Sequence, residues 1–447
     1  MSAAAKTELT QRQILIAWWP LAASWLLMGM EMSLVSAAIA RLAESKFHLA
    51  AFGGIVFPIA LLIEAPIIMM LAASTALSVD SDSFRRLRRF TTIAGIGLSL
   101  FHALVAFTPL YDILIVGLLD PPAGAIEPGR LGLQLMTLWT WAIADRRFHQ
   151  GLLIRFDRSG AVGIGTAVRL VVTCSVLLAG ILHGGFPGIA VAGCGLVCGV
   201  SAEAISARCF ARAIVRGPLA DAPAAPPLTL PRLLRFYLPL ALTPLLNILV
   251  QPIGSASIAR MPEALDNLAT WSPASGLIFM SRSIGIAFNE VVISFADRLG
   301  ARRALESFAL RLAIATSSFL ALVALTPLAV LWFRDVSGLT PELLEVARLA
   351  VPFGILLPAA TVYQSLHTGF LVNAHKTRAV PESVALFLIV TTACLFSFAS
   401  AGALPGVQAT LLSITVGALC QNAWLWRSQR ALAAGSEEPV GNPSDPQ

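Results

Sequence analysis

The stretch FHALVAFTPL beginning at Phe101 returns as FLALVALTPL at Phe319, 218 residues further along the chain. The same spacing, to within a residue, relates PLAAS…IAR (Pro20 to Arg41) to PLALT…IAR (Pro239 to Arg260). It also sets His149 and Gly151 against His367 and Gly369. The chain is therefore two copies of one unit. A duplication of this period restricts the fold, because each copy must repeat the same order of elements.

The elements themselves are apolar and long. Hydrophobic residues make up 57% of the chain and charged residues 13%, against roughly a quarter charged in a soluble domain. The apolar runs reach the ~20 helical residues that span a bilayer core, and no alternating β-barrel pattern is present. The expectation is an all-α polytopic membrane protein with about twelve transmembrane helices, six per repeat. They are expected near 14–39, 48–77, 88–117, 130–155, 160–182 and 188–213, then 232–258, 267–297, 304–333, 342–373, 381–402 and 406–427. An even number per unit makes the two repeats parallel, related by an axis along the membrane normal. The expected organisation is an N-lobe at 1–215, a Pro/Ala-rich cytoplasmic linker at 216–231, a C-lobe at 232–430 and a disordered tail at 431–447.

The net charge of +6 sits in short loops between apolar runs, which points to positive-inside topology and not to nucleic acid. One set of loops holds Arg85, Arg86, Arg88 and Arg89, Arg155 and Arg158, and Arg298, Arg302 and Arg303. The opposite set holds little beyond Arg41, Lys46, Arg130, Arg260 and Arg334. Both termini are expected in the cytoplasm, with the chain monomeric in a bacterial inner membrane. The six cysteines read as small hydrophobes with neither disulfide nor zinc spacing. No metal, no cofactor and no enzyme activity are expected: HExxH and GxSxG are missing, and GIGTAVRL from Gly163 lacks the lysine of a P-loop. Ion gradients or passive flux remain as the energy source.

Ionisable side chains at bilayer depth cost ~2.5–3.5 kcal/mol each on insertion scales, so those present are candidates for function. Glu64 lies mid-helix in LLIEAPII, and 218 residues on stands Arg282 in FMSRSIG. Opposite charges at equivalent positions suggest two sides of a central cleft, as a pair or as separate ligands; the alternative is a buried ion pair that fixes packing. Arg169, a third of the way into helix 5, needs a partner or an anion. Asp145 and His149 share a helix face beside Arg147 and suit a proton relay, or else a helix end with snorkelling side chains. Asn247 and Gln251 share a face of helix 7, and Glu290 lies on the face of Arg282; interhelical hydrogen bonding is the other use for such groups. Glu31, the only acid in helix 1, reads as an ion-coupling group or as a solvated side chain near the outer surface.

Two parallel six-helix repeats, with an H-x-G-[LF]-L motif ending helices 4 and 10 (His149 to Leu153, His367 to Leu371), resemble the multidrug/oligosaccharidyl-lipid/polysaccharide (MOP) exporter superfamily and its MATE-like members. Within it, FHALVAF (Phe101 to Phe107), HQGLLIR (His149 to Arg155) and LATWSP (Leu268 to Pro273) are similar to the progressive ankylosis protein family. That resemblance implies export of an organic or phosphate-containing anion by alternating access, with a basic cavity that Arg282, Arg169 and Arg147 would supply. The expected function is a secondary transporter of a small solute with H⁺ or Na⁺ coupling. The alternatives are a cationic-drug/H⁺ or Na⁺ antiporter with Glu31 or Glu64 as the coupling acid, a lipid-linked saccharide flippase, or a membrane enzyme acting on a lipid.

Overall fold

Local sequence sets where the helices start and stop. In the computed structural model, which describes residues 8–435 apart from 224, 375 and 377, the first helix opens on a capping box. Thr10 accepts from the Gln13 backbone N–H while the Gln13 side chain accepts from that of Thr10, satisfying two of the end's free donors. This helix, α1 (Gln11–Ala40), is followed by α2 (Ser45–Leu77) and α3 (Ser81–Phe107). The segments Ala123–Leu135 and Thr137–Arg155 run on as α4, then come α5 (Ser159–His183) and α6 (Gly188–Arg216). The second set is α7 (Leu230–Ala259), α8 (Ala264–Phe295), α9 (Ala301–Leu325), α10 (Pro341–Asn373), α11 (Ala379–Ala401) and α12 (Gly406–Gly435). Ten of the twelve are long and apolar enough to cross a membrane. The two others are α4, which carries Asp145, Arg146 and Arg147 in one turn, and α12, whose apolar run is diluted by Gln408, Gln421 and Asn422.

The helices expected at 88–117 and 304–333 end earlier than their apolar composition suggests. Both stop at a threonine before a proline: Thr108 (φ −120°, ψ 173°) before Pro109, and Thr326 (φ −121°, ψ 172°) before Pro327. Proline drives its predecessor out of the α region, and the chain resumes in short turns at Tyr111–Val116 and Leu331–Val336. Between α6 and α7 the chain lies over the start of α3: Asp80 accepts from the Ala225 N–H (2.8 Å) and Ser81 donates to the Leu219 carbonyl (3.2 Å). Helix α12 continues through Gly435, past the expected helix end; residues 436–447 of the expected tail lie outside the described ones.

The duplication holds at the level of contacts. A Cβ on Gly199 would meet Thr173 Oγ1 at 2.0 Å, and one on Gly417 would meet Thr391 Oγ1 at 2.2 Å. Gly151 faces Leu71 O and Ser74, and Gly369 faces Asn289 O and Val292, the residues 218 further on. In lipid, apolar surface gains little by leaving its surroundings, so helices associate through such close backbone approaches and through interhelical polar contacts.

The two halves interlock through their first helices. The first half of α1 packs against the second repeat: Leu9, Ile14 and Trp18 join Phe288 and Phe308, and Trp18 Nε1 donates to the Ile284 carbonyl (3.1 Å). The first half of α7 packs against the first repeat, where Leu233 and Tyr237 join Met70, Phe84 and Phe148, and the Tyr237 hydroxyl donates to the Pro66 carbonyl. Each helix then returns to its own repeat. Pro20 and Pro239, both inside helices, lie in the crossing halves.

At the end bearing Arg41, Lys46 and Arg260 the halves clasp symmetrically. Arg41 Nη2 donates to the carbonyls of Asp335 (2.8 Å) and Val336 (3.0 Å) in the second repeat, and Arg260 Nη2 donates to Leu118 O (2.8 Å) in the first. Lys46 pairs with Asp266 beside them. Below the clasp, Ser36 and Ser272 share a buried hydrogen bond of 2.7 Å across the halves. This explains why the motif IAR recurs: its arginines are equivalent halves of one closure.

Candidate functional site

The buried charges of the first repeat form one network. Arg169 on α5 donates through Nη2 to Glu31 of α1 (2.6 Å), and Thr173 one turn on donates to the other oxygen of Glu31 (3.1 Å). The second terminal nitrogen of Arg169 reaches Glu203 of α6 at 3.4 Å. Glu203 also receives Arg146 of α4 at 2.6 Å, Gln150 at 2.9 Å and Thr166 at 3.3 Å. Glu203 is 1% exposed, and Glu31, Arg146 and Arg169 are buried with it. Each ion costs several kcal/mol to desolvate; here every carboxylate oxygen of the two acids has at least one donor, which offsets that cost. The closeness of α5 and α6 needed for this comes from Gly199, whose Cβ would fall 3.0 Å from the Arg169 carbonyl.

Two charges at the edge of this network are left over. Glu64 on α2 is 4% exposed, makes no hydrogen bond or ion pair, and has Oε2 fully buried. Arg146, Arg147 and Arg169 are the cations near enough to act on it. Arg147 is half-buried, with Nε buried and unpartnered, and it too forms no ion pair. The formal count is three carboxylates (Glu31, Glu64, Glu203) against three guanidiniums (Arg146, Arg147, Arg169). Four of these six satisfy one another, and Glu64 and Arg147 do not take part.

The remaining candidates separate from this group. Arg282 on α8 is half-buried, donates through Nε to Thr361 of α10 (2.8 Å), and pairs with no carboxylate. It is not joined to Glu64. Glu31, for which the sequence leaves an ion-coupling group or a solvated side chain near the outer surface, is 5% exposed and held by Arg169, so it is not solvated. Asp145 is bound to Arg208 of α6 (2.7 Å), and His149 donates from Nδ1 to the Asp145 backbone carbonyl (2.8 Å), with the carboxylate at 3.5 Å. Asn247 is exposed and Gln251 half-buried on α7, and Glu290 is exposed on α8. Among the described residues no group of three or more His, Cys, Asp or Glu side chains is placed to hold a metal.

Glu203, the hub, was not among the sequence candidates. Its signal was the same as that of Glu64: one acid inside an apolar run, GIAVAGCGLVCGVSAEAIS. Comparison across the duplication adds a second signal. At the positions of Arg146, Arg169 and Glu203 the second repeat carries Gln364, Phe387 and Gln421, and at Asp145 and Arg208 it carries Tyr363 and Trp426. The charge network belongs to one repeat only.

Neither protein-family models nor curated proteins match the chain. Solved structures do. The chain is similar to a multidrug resistance MATE family transporter of the MOP superfamily in its inward-facing conformation (TM-score 0.71, 14% identity, 94% of this chain and 99% of that one). It is also similar to the lipid II flippase MurJ in an inward closed conformation (TM-score 0.69, 12% identity, 92% and 87% covered). An outward-facing MATE family transporter aligns at TM-score 0.57 with 14% identity over 97% of this chain and 100% of that one. The chain thus has the MATE/MOP fold: twelve helices in two parallel six-helix repeats.

Proposed function

We propose that the protein is a secondary transporter that moves a small solute across the bilayer by alternating access, with its site between the repeats at Glu64, Arg147 and Arg282. The observation that carries this is the set of charges left outside any ion pair. Paired charges in the first repeat are consumed by the network, while Arg147 and Arg282 form no ion pair and Glu64 makes neither a hydrogen bond nor an ion pair. Charges kept apart at this depth are held for something that arrives. Two guanidiniums suit a solute with an organic or phosphate anion, as the resemblance to the progressive ankylosis family implies. Asn247, Gln251 and Glu290 would line its path.

The clasp at Arg41 and Arg260 closes one end, and the higher similarity to inward-facing neighbours supports an inward-facing state. With the arginine-rich loops inside, both termini are cytoplasmic in a bacterial inner membrane, and the unit that transports is the monomer. H⁺ or Na⁺ supplies the driving force.

A second reading keeps the fold and exchanges the cargo. Glu64, buried and unbonded, fits an acid that binds a proton or an organic cation in turn. Flux into liposomes holding the purified protein, with anions and cations compared under imposed pH and Na⁺ gradients, separates the two. Anion flux lost in Arg147→Gln and Arg282→Gln supports the first; cation flux lost in Glu64→Gln, with no anion flux, overturns it.

A further inference from the structure

The second repeat holds a pocket. It has a volume of about 370 Å³ between α10 and α12, walled by Ala359, Ala360, Leu419 and Ala423 and bordered by Tyr363 and His367. The duplication explains its origin. The positions of Ala359 and Ala423 hold Trp141 and Ile205 in the first repeat. There Arg208 lies over the Trp141 ring at 5.7 Å while bound to Asp145, so the Trp141 face is covered by an ion-paired guanidinium. In the second repeat both large residues are alanines, and the ion pair is replaced by Tyr363 and Trp426. A space within the size range of small-ligand pockets is left.

We propose that this pocket binds a membrane-soluble alcohol, an apolar chain bearing one uncharged hydroxyl. The rim supports entry from the bilayer: Leu356 (52%) is exposed on α10, which is long and apolar enough to cross a membrane, and Leu419 (46%) and Trp426 (46%) are exposed apolar side chains on α12 beside it. The polar groups inside define the head. Asn422 uses its amide N–H groups on the carbonyls of Ala360 (3.0 Å) and Ala418 (2.8 Å), so its Oδ1 stays buried with no donor. His367 is 8% exposed and donates from Nδ1 to Gln429 Oε1, which leaves Nε2 as an acceptor without a partner. Tyr363 stacks on His367 with its hydroxyl unbonded. Two acceptors and one hydroxyl match a ligand that donates one hydrogen bond and accepts another.

The lining has no fixed charge. No carboxylate, lysine or arginine lines the pocket to balance an amine or an acid; Arg430, over the Trp426 ring at 3.9 Å, stands outside the lining and disfavours a cation at the rim. The site lies apart from Glu64, Arg147 and Arg282 and does not depend on the transport reading.

The test uses the full protein in phosphatidylcholine nanodiscs with a diazirine-bearing dodecanol as the photoprobe, and peptides mapped by mass spectrometry. Label is expected on the α10 and α12 pocket segments, reduced at least about fivefold by excess dodecanol but not by dodecanoic acid or dodecylamine, a difference of roughly 1 kcal/mol in binding. The substitutions Ala359→Trp and Ala423→Ile, which install the first repeat's residues, should abolish it. Asn422→Leu should weaken it while leaving the walls intact, and so serves if the filled variants do not fold. Label spread evenly over the lipid-facing helices, equal competition by the acid or the amine, or labelling that persists in a folded Ala423→Ile protein each overturn the proposal.

Discussion

Glu203→Gln is the sharpest probe of the network, because it removes a charge without removing volume and installs the residue that the second repeat uses at Gln421. The carboxylate receives Arg146 at 2.6 Å, Gln150 at 2.9 Å, Thr166 at 3.3 Å and Arg169 at 3.4 Å. Arg169 keeps Glu31 at 2.6 Å, but Arg146 is left with no carboxylate at ion-pair distance. Breaking a buried pair from one side costs ~3–5 kcal/mol, mostly as an uncompensated buried charge. The lower figure applies, since an amide oxygen still accepts one bond, so the loss is about 3 kcal/mol. At ~2 °C per kcal/mol for a large chain, the unfolding midpoint falls by about 6 °C. Adding Arg146→Gln recreates the neutral Gln364/Gln421 arrangement of the second repeat. With neither charge stranded, the double variant should recover about 2 kcal/mol relative to the sum of the singles. Thermal unfolding followed by tryptophan fluorescence in nanodiscs reads all four corners of the cycle. Additive losses would show that Glu203 and Arg146 do not act on each other, and the network as drawn would be refuted.

Three further outcomes follow from the geometry. Arg41→Ala with Arg260→Ala removes the three guanidinium-to-carbonyl bonds that join the halves at the closed end; at ~1 kcal/mol for each exposed charged bond, the balance should shift by roughly a hundredfold toward opening at that end. Thiol accessibility of a Ser36→Cys reporter measures it, and an unchanged modification rate refutes it. The Asp80 carboxyl is held down at about 2, from an ordinary 3.8, chiefly by the Ser83 hydroxyl and then by the Ala225 and Ser83 backbone N–H groups. A depressed carboxylate stabilises above its unfolded pKa and loses that as pH falls through the folded one, so Asp80→Asn should cost ~1 kcal/mol above pH 4, with the difference shrinking as pH falls toward about 2; a pH-independent difference in midpoint refutes this. Gly151→Ala puts a Cβ 2.3 Å from the Leu71 carbonyl, whereas Gly163→Ala meets nothing within 4 Å. The first should lower stability by more than ~2 kcal/mol and the second leave it unchanged or raised by up to ~1, measured as midpoints side by side.

Much of the fold is legible because apolar length alone marks a spanning helix, and because two copies read each other's boundaries. The ends at Thr108 and Thr326 are not legible in the same way: apolar composition continues through Tyr111–Val116 and Leu331–Val336, and only the Thr-Pro step breaks the helix. For the site, sequence flags which residues are costly to bury but not what compensates them. Glu31 and Arg169 are both visible as isolated charges, yet their 2.6 Å contact joins residues 138 apart and follows from the return of α1 to its own repeat. Glu64 and Arg282 show the converse. The duplication relates their positions, but an equivalent residue is a neighbour only near the pseudo-symmetry axis, and here each has a different environment: three guanidiniums around one, Thr361 beside the other.

These contacts also restrict how a rocking transporter of this fold would move. The second half of α1 is tied to α5 by Arg169–Glu31 and Thr173–Glu31, at 2.6 and 3.1 Å in buried surroundings, and separating them would strand two ions. Its first half is tied instead to α8 and α9 through Trp18 and the Leu9–Leu299 backbone bond. A relative rotation of the repeats must therefore be absorbed inside α1, between Trp18 and Glu31. Pro20 lies in that interval and removes one helical hydrogen bond, which makes it the compliant point. Helix α7 carries Pro239 at the matching place, after Leu233 and Tyr237 have engaged the first repeat. In such a motion the charge network would act as the rigid body of one half, and the two prolines as its hinges. On this account Pro20→Ala stiffens the transition between states without disturbing the Glu31–Arg169 contact, so flux should slow while the unfolding midpoint holds or rises.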